Sequence, residues 1–316
     1  MTPLTISYRE HPELGQVKWL RQYDQALALA AKQAKPVLLL FQEVPGCATC
    51  RNFGRDVLSH PLMVEAVHEL FVPLAIFNNQ PGGDAAILAR FGEAAWNNPV
   101  VHFIAPDGAA IVPKLENRYD AVGLHEKMLG ALEARGVDAP AYFRLLRGDL
   151  LVETGRAAHR AYATPCFWSG ETSLAQHPAV IETDAGWIGG EEVVRIGFDP
   201  GATNIQALDD FAATEGFQRI ATRSFRLDSE PQFYLRKSRF RYLPLSPAQR
   251  TAINLALPYG RDAEELLGPQ QRRWLDIERI EALSNPEMYR SEIGKAWTDI
   301  EAASGEPEKP DGSQAT

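Results

Sequence analysis

The segment Gly-Cys-Ala-Thr-Cys-Arg at residues 46–51 has the residue types and the spacing that thiol redox chemistry needs. Its two cysteines are separated by two residues, follow the apolar run 37–41, and precede a stretch with helical spacing. A thiol at a helix N-terminus ionises readily, because the helix dipole places partial positive charge beside its sulfur. The thiolate can attack a disulfide, and a second thiol then resolves the mixed adduct. We therefore interpret Cys47 as the nucleophile and Cys50 as the resolving thiol.

A zinc site and a structural disulfide are the alternatives for this pair. Structural zinc needs four ligands, usually Cys or His at matching spacing. The chain has one further cysteine, Cys166, and no second CxxC or HxxxH. Three cysteines in 316 residues are also too few for a disulfide scaffold. The sequence therefore favours redox chemistry with neither a metal nor another cofactor.

The composition of the chain limits the classes of partner that we expect it to bind. The chain is 45% hydrophobic and 23% charged, with a net charge of −9. This acidic balance disfavours nucleic acid, and no run approaches the roughly 18 apolar residues of a membrane span. The first sixteen residues are interrupted by charges and lack the apolar core of a secretory signal. We expect a cytoplasmic protein whose partners are an external thiol reductant and an oxidised sulfur compound or a protein disulfide.

The periodicity around the cysteine pair predicts an α/β unit. The expected elements are a helix over 16–34, a strand over 37–42, helical segments over 51–58 and 62–70, a strand over 71–77, a short helix ending near residue 90, strands over 98–104 and 110–113, and a helix over 124–134. This order places the two cysteines at the end of the first core strand, where that strand passes into a helix.

That order, with Pro99 opening the third strand, resembles the thioredoxin fold over residues 15–136. In that family a cis-proline stands beside the active-site sulfurs, which implies a substrate-binding place for Pro99. The motif Val-Pro-Gly-Cys-Ala-Thr-Cys at residues 44–50 also resembles that of a bacterial thioredoxin-like group, in which the first cysteine position can be selenocysteine. Because the Trp-Cys-Gly-Pro-Cys loop of general thioredoxins is absent, we expect a specialised reductant.

The third cysteine follows Pro165 at a predicted strand-to-helix junction, beyond a predicted helical linker over 137–163. Phe167 and Trp168 come directly after Cys166. A thiol at a helix start can be a nucleophile, and the two aromatic rings could wall a pocket for a methyl or thioether group. The alternative is an inert core residue, because free cysteine is among the most buried residue types.

Cys166-Phe167-Trp168, with Glu171 five residues after the cysteine, resembles the signature of the A-type peptide methionine sulfoxide reductases. So do Gly-Trp-Ile-Gly-Gly at 186–190, the segment 192–200 and Gln-Phe-Tyr-Leu at 232–235. The resemblance implies a smaller α+β domain over 164–245.

In that family the cysteine attacks the sulfoxide sulfur and a glutamate protonates the departing oxygen. By position these roles fall on Cys166 and Glu192, with Phe167 and Trp168 forming the methyl pocket. Trp187 stands in the place of a family tyrosine.

This second domain departs from the family in two respects. Gly190 runs straight into Glu191, so the loop that carries an oxygen-binding tyrosine is missing, and no resolving cysteine follows Cys166. We therefore expect a transfer between Cys166 and Cys47, closed by a Cys47–Cys50 disulfide. Two alternatives stay open, namely a protein disulfide reductase whose second domain only binds a partner, and binding of a metal or metalloid by the three cysteines.

The remaining residues predict structure rather than chemistry. Basic and aromatic residues alternate over 233–242 in the manner of a strand with one solvated face. Helices are expected over 246–257 and 269–283, within a helical region that reaches residue 303, and the apolar-poor tail 304–316 is expected to be disordered. The first domain is expected to occupy residues 1–136.

Overall fold

The computed structural model describes residues 5–6 and 11–305. It divides the chain into two compact units, Met1–Arg147 and Gly148–Thr316, and each unit contains its own sheet. The tail that the sequence predicted to be disordered covers residues 304–316. Ser304 instead belongs to the last helix, and residues 306–316 lie outside the described part. Among the described residues, every helix is too short or too polar to cross a bilayer.

The first unit is a mixed sheet with helices. Its strands are β1 (Thr5–Ile6), β2 (Trp19–Leu20), β3 (Val37–Gln42), β4 (Val72–Phe77), β5 (Val100–Ile104) and β6 (Ala110–Leu115). Its helices are α1 (Tyr23–Gln33), α2 (Ala48–Asp56), α3 (Pro61–Leu70), α4 (Gly83–Arg90), α5 (Ala121–Ala134) and α6 (Ala141–Glu153), the last of which contains the boundary between the units. The strand order is β1-β2-β4-β3-β5-β6.

Strand β3 lies inside this sheet and leads to the cysteine pair. It runs parallel to β4 and antiparallel to β5. All six of its residues are buried, and its apolar run 37–41 is typical of a strand that is buried on both faces. Val37, Leu39 and Phe41 pack with α1 and α4 in one core cluster. The predicted strand over 37–42 is confirmed, and the fold is the expected mixed α/β arrangement.

The predicted helix over 16–34 was wrong in its first third. Trp19 and Leu20 form the short strand β2 beside β4, and helix α1 begins only at Tyr23. Trp19 is fully buried and its indole N–H donates to the carbonyl of Leu14 at 2.8 Å. The helical spacing of apolar residues continued across this point because both elements bury apolar residues in the same core.

The second unit has an antiparallel sheet and a helical C-terminal region. Its strands are β7 (Ala158–Ala163), β8 (Val180–Ile188), β9 (Glu191–Phe198), β10 (Gln218–Ile220) and β11 (Arg226–Leu227), in the order β10-β7-β9-β8-β11. Its helices are α7 (Phe167–Leu174), α8 (Ile205–Thr214), α9 (Phe233–Arg236), α10 (Pro247–Ala256), α11 (Pro269–Leu275), α12 (Ile280–Leu283) and α13 (Ile293–Ser304). Strand β7, which lies in the segment predicted to be a linker, pairs with β9.

Two glycines make the tight connection between β8 and β9. Gly189 and Gly190 have φ values of +59° and +91°, in the left-handed region that a two-residue hairpin turn requires. The hairpin holds Glu192 opposite Trp187 in the register of the two strands. These two candidate site residues are thereby fixed beside each other on the sheet.

The basic and aromatic segment 233–242 is not a strand. It forms α9 and a 3-10 helix, because the Asn254 side-chain oxygen accepts from the backbone N–H groups of Tyr234 and Leu235 at 3.0 and 3.2 Å and so caps the turn. The arginines of the segment bind protein groups: Arg236 pairs with Glu230.

The predicted helix over 269–283 is also interrupted. It ends at Leu275 and resumes as α12 at Ile280. The guanidinium of Arg239 donates to the carbonyl of Leu275, the last residue of α11, and to that of Ile277 just beyond it, at 2.9 Å each. The predicted start of α10 is confirmed, with Ser246 as N-cap in a complete capping box.

Two helix glycines give a matched test of how closely α2 packs. A Cβ at Gly54 would lie 2.1 Å from the backbone oxygen of Pro12, whereas a Cβ at Gly130 in α5 would meet nothing within 4 Å. We expect Gly54→Ala to lower the free energy of unfolding by about 1–3 kcal/mol through overpacking. Gly130→Ala should raise that free energy by about 0.5–1 kcal/mol through helix propensity. Urea denaturation followed by circular dichroism measures both, and equal effects of the two substitutions would contradict this packing.

Candidate active site

Cys47 and Cys50 lie at the start of α2, directly after the loop that leaves β3. Cys47 is the N-cap residue of the helix and is exposed, whereas Cys50, one turn further on, is fully buried. Their Sγ atoms are 3.5 Å apart, and both thiols are free. The two sulfurs are thus close enough to form a disulfide after a modest approach, and only one of them faces solvent.

The surroundings shift the pKa values of the two thiols in opposite directions. The pKa of Cys47 is lowered, chiefly by the backbone N–H of Cys50 and further by the Cys50 thiol and by Thr49, against partial burial that raises it. The pKa of Cys50 is raised to about 12, first by burial and then by its hydrogen bond with Cys47 and the charge there. Cys47 is therefore the thiol that ionises first, and Cys50 stays protonated until its partner has reacted.

A close backbone turn at Gly46 brings these groups together. A Cβ at this position would lie 2.2 Å from the carbonyl oxygen of Glu43 and 2.7 Å from the Cβ of Cys50, so no other residue fits without movement. The Gly46 N–H donates to the buried carboxylate of Glu13 at 2.8 Å. The Gln42 side chain donates to the carbonyls of Glu13 and Cys50 at 2.9 and 3.4 Å. The buried side chains of Glu13 and Gln42 thus hold the loop in place through hydrogen bonds.

Asn98, the residue before Pro99, contacts the buried sulfur of Cys50. The Asn98–Pro99 peptide bond is cis, as is the Val44–Pro45 bond in the cysteine loop. The Cys50 thiol donates to the side-chain oxygen of Asn98 at 2.7 Å. The segment that opens β5 therefore contacts the cysteine pair through Asn98. Substrate binding by Pro99 stays a prediction.

One carboxylate joins the two thiols. An oxygen of Glu43 and the sulfurs of Cys47 and Cys50 all lie within 4.8 Å of one another, and Glu43 is half-buried. Among the described residues this is the set of side chains that could hold a metal ion. Glu43 could not be identified from spacing, because it lies outside the CxxC motif and reaches the sulfurs only through the turn at Gly46.

A family model described as thioredoxin-like matches residues 18–106, which include β3, the cysteine pair, and β5. Residues 18–106 form a thioredoxin-like domain. No curated protein is similar in sequence to the chain at a significant level. Among solved structures, one titled "DsbH Oxidoreductase" is similar at 17% identity with a TM-score of 0.33, covering 39% of this chain and 89% of its own. The match to the thioredoxin-like model ends before the second unit begins.

In the second unit Cys166 is the N-cap residue of α7 and is half-exposed. The carboxylate of Glu192 on β9 accepts from the backbone N–H of Phe167 at 2.8 Å. This bond places the predicted acid and the predicted nucleophile at the same helix start. The strand-to-helix junction that the sequence predicted for Cys166 is confirmed, between β7 and α7.

The aromatic residues beside Cys166 pack against one another. Phe167 meets Trp168 and Trp187 edge to face, with ring centroids 5.7 and 5.3 Å apart, and it is buried. Trp168 stacks on Phe233 at 4.3 Å, and the Trp187 indole N–H donates to Asp228 at 2.9 Å. The rings therefore form a packed cluster, and Phe233 is a member that the sequence reasoning did not assign to the site.

The buried side chain of Glu171 holds the backbone near this aromatic cluster. Its carboxyl is completely buried and accepts from the backbone N–H groups of Ala185 and Gln232 at 3.1 and 2.8 Å. Burial raises the pKa of this carboxyl well above its usual range. Glu171 therefore ties α7 to β8 and to the start of α9, which is a structural role for a residue of the quoted motif.

A pocket of about 410 Å³ opens beside Cys166. It is lined by residues from the ends of β7, β9 and β10, namely Ala163, Thr164, Pro165, Glu191, Glu192, Gly216 and Gln218. The lining reaches Pro165, the residue before Cys166, and includes Glu192, but it includes neither Cys166 nor any of the three aromatic residues predicted to bind substrate, which lie in the packed cluster. Substrate binding by Phe167, Trp168 and Trp187 stays a prediction.

The opposite pKa shifts predict selective alkylation in the thioredoxin-like domain. In the reduced chain at pH 7, iodoacetamide should modify Cys47 at least about 30-fold faster than Cys50, because the less acidic thiol has a far smaller thiolate fraction that its greater nucleophilicity only partly offsets. Quantitative mass spectrometry of the modified peptides measures the ratio. In denaturant the two rates should converge. Equal rates in the folded chain would contradict the assignment of the two sulfurs.

Proposed function

We propose that the protein is a thiol–disulfide oxidoreductase in which Cys47 and Cys50 act as a dithiol reductant. The observation that carries the proposal is the pair of sulfurs 3.5 Å apart, one exposed with a lowered pKa and one buried with a raised pKa, within a thioredoxin-like domain. An exposed, ionised thiol can attack a substrate disulfide, and a buried, protonated thiol reacts only after the mixed disulfide has formed.

The reaction proceeds in two exchanges. The Cys47 thiolate attacks a substrate disulfide, forms a mixed disulfide and releases one substrate thiolate. Cys50 then loses its proton and attacks the Cys47 sulfur, which releases the second substrate thiol and leaves a Cys47–Cys50 disulfide. An external thiol reductant returns the pair to the dithiol state.

We further propose that this dithiol serves Cys166, the one cysteine of the second unit. Cys166 attacks an oxidised sulfur compound such as a sulfoxide, takes its oxygen to become a sulfenic acid, and releases the reduced compound. The Cys47 thiolate then displaces the sulfenic oxygen as water with uptake of a proton, and Cys50 resolves the resulting disulfide. Support comes from the half-exposed thiol at a helix start, from the adjoining pocket, and from Glu192 at the same helix end.

One observation favours a second candidate, a disulfide reductase whose second unit only binds a partner protein. Two of the polar donors near Cys166 are already engaged: the Trp187 indole N–H is bonded to Asp228, and the Phe167 N–H to Glu192, whereas the buried indole N–H of Trp168 has no partner among the described residues. A sulfoxide in this place would find fewer donors for its oxygen, and removal of one such donor commonly lowers a rate by about 10²–10³.

Disulfide turnover separates the roles of the three thiols. With a small aromatic disulfide and an external reductant, we expect Cys47→Ser to lower turnover by at least about 10²-fold, because the attacking atom is gone. Cys166→Ser should turn over the same small disulfide as the unchanged chain does, since the dithiol alone performs this reaction. Full turnover by Cys47→Ser would contradict the proposed nucleophile.

Trapping tests the transfer from Cys166. In a Cys50→Ser chain the mixed disulfide on Cys47 cannot be resolved, so treatment with a stoichiometric oxidant of Cys166 should accumulate a Cys47–Cys166 linkage that peptide mass spectrometry detects. A Cys50→Ser, Cys166→Ser chain is the control and should show no such linkage. If Cys47 instead captures only foreign proteins, the second unit is a partner-binding module.

A further inference from the structure

We propose that Glu43, Cys47 and Cys50 form a binding site for a zinc ion, and that the bound ion blocks the dithiol. The two sulfurs and a carboxylate oxygen come within 4.8 Å of one another. The binding follows from this geometry alone, whereas the consequence for activity rests on the proposed function of the pair.

The spacing of the sulfurs agrees with tetrahedral zinc. With Zn–S bonds of about 2.3 Å, two thiolates on a tetrahedral ion lie roughly 3.8 Å apart. The observed Sγ–Sγ distance of 3.5 Å is close to this value without a change of backbone. A linear two-sulfur ion with bonds of similar length would instead require a separation of roughly 4.6 Å.

The donor types and the exposure also fit a three-ligand zinc site. Thiolate and carboxylate are both zinc ligands, and sites with three protein ligands keep a fourth position for water. Cys50 closes the inner side because it is fully buried, while Cys47 is exposed and Glu43 is half-buried, which leaves the outer side open to the entering ion. A zinc ion with three protein ligands does not require a fourth Cys or His, and the Glu43 carboxylate supplies the third ligand.

Binding is a ligand exchange in which no electrons move. Zinc has no redox chemistry of its own, so the ion accepts the Cys47 thiolate and the Glu43 carboxylate, and Cys50 releases its proton to solvent as its sulfur binds. While the ion is held, the sulfur of Cys47 cannot attack a disulfide. Once the Cys47–Cys50 disulfide has formed, neither sulfur is a thiolate. Zinc and disulfide therefore exclude each other at this site.

Zinc alone is titrated into the full-length chain in competition with a chromophoric chelator. The titration is done with the reduced chain and with the same chain after oxidation to the Cys47–Cys50 disulfide. We expect one zinc ion per reduced chain and none at this site after oxidation, a comparison that needs no substitution. Glu43→Gln should weaken zinc binding by at least about 10-fold, as loss of a metal ligand does. The matched control, Glu133→Gln, changes an exposed carboxylate in α5 and should bind zinc like the unchanged chain.

Three outcomes of the titrations would overturn the proposed zinc site. Equal zinc affinity in Glu43→Gln and Glu133→Gln would show that the two thiols bind alone, and loss of binding in Cys166→Ser would show a site made by all three cysteines. Equal binding by the oxidised chain would place the ion elsewhere. Disulfide turnover in the presence of excess chelator is measured in parallel. Inactivity there would refute the proposed oxidoreductase while leaving the zinc result standing.

Discussion

The close turn at Gly46 is the constraint on which the chemistry of the first unit depends. Its backbone lies so near the carbonyl of Glu43 and the Cβ of Cys50 that a side chain cannot be accommodated. Because the chain folds back here, Cys50 enters the core under the loop while Cys47 stays at the exposed start of α2. The opposite pKa shifts of the two thiols follow from this single difference in burial and from the backbone N–H that faces Cys47.

In the second unit a half-exposed thiol lies beside tightly packed aromatic rings. Cys166 lies at the start of α7 beside an open pocket, but the aromatic rings next to it pack on one another and on Phe233. Buried Glu171 holds this arrangement through two backbone N–H groups, so its carboxyl belongs to the framework. A thiol without a neighbouring cysteine must obtain its electrons from elsewhere, and the dithiol of the same chain is the donor we propose.

Local sequence was sufficient for the strand over 37–42 and for the junction at Cys166, since each depends on short-range patterning. It also predicted a helix at the CxxC, but that helix begins at Ala48 rather than at residue 51. It failed where a distant residue decides the local structure. Asn254 turns residues 233–236 into a helix, and Arg239 satisfies the carbonyls where α11 ends. Glu43, Asn98 and Glu13 escaped notice for the same reason, because their approach to the site arises from the fold around Gly46 rather than from any spacing.

We assign Cys47 as the attacking thiol and Cys50 as the resolving thiol. Disulfide mapping of the mildly oxidised chain tests these roles directly. One equivalent of a two-electron oxidant is added to the reduced full-length chain, and the linked peptides are identified by mass spectrometry. We predict that the first product is an intramolecular Cys47–Cys50 disulfide with Cys166 still free. Accumulation of oxidised Cys47 while Cys50 remains a thiol would contradict it.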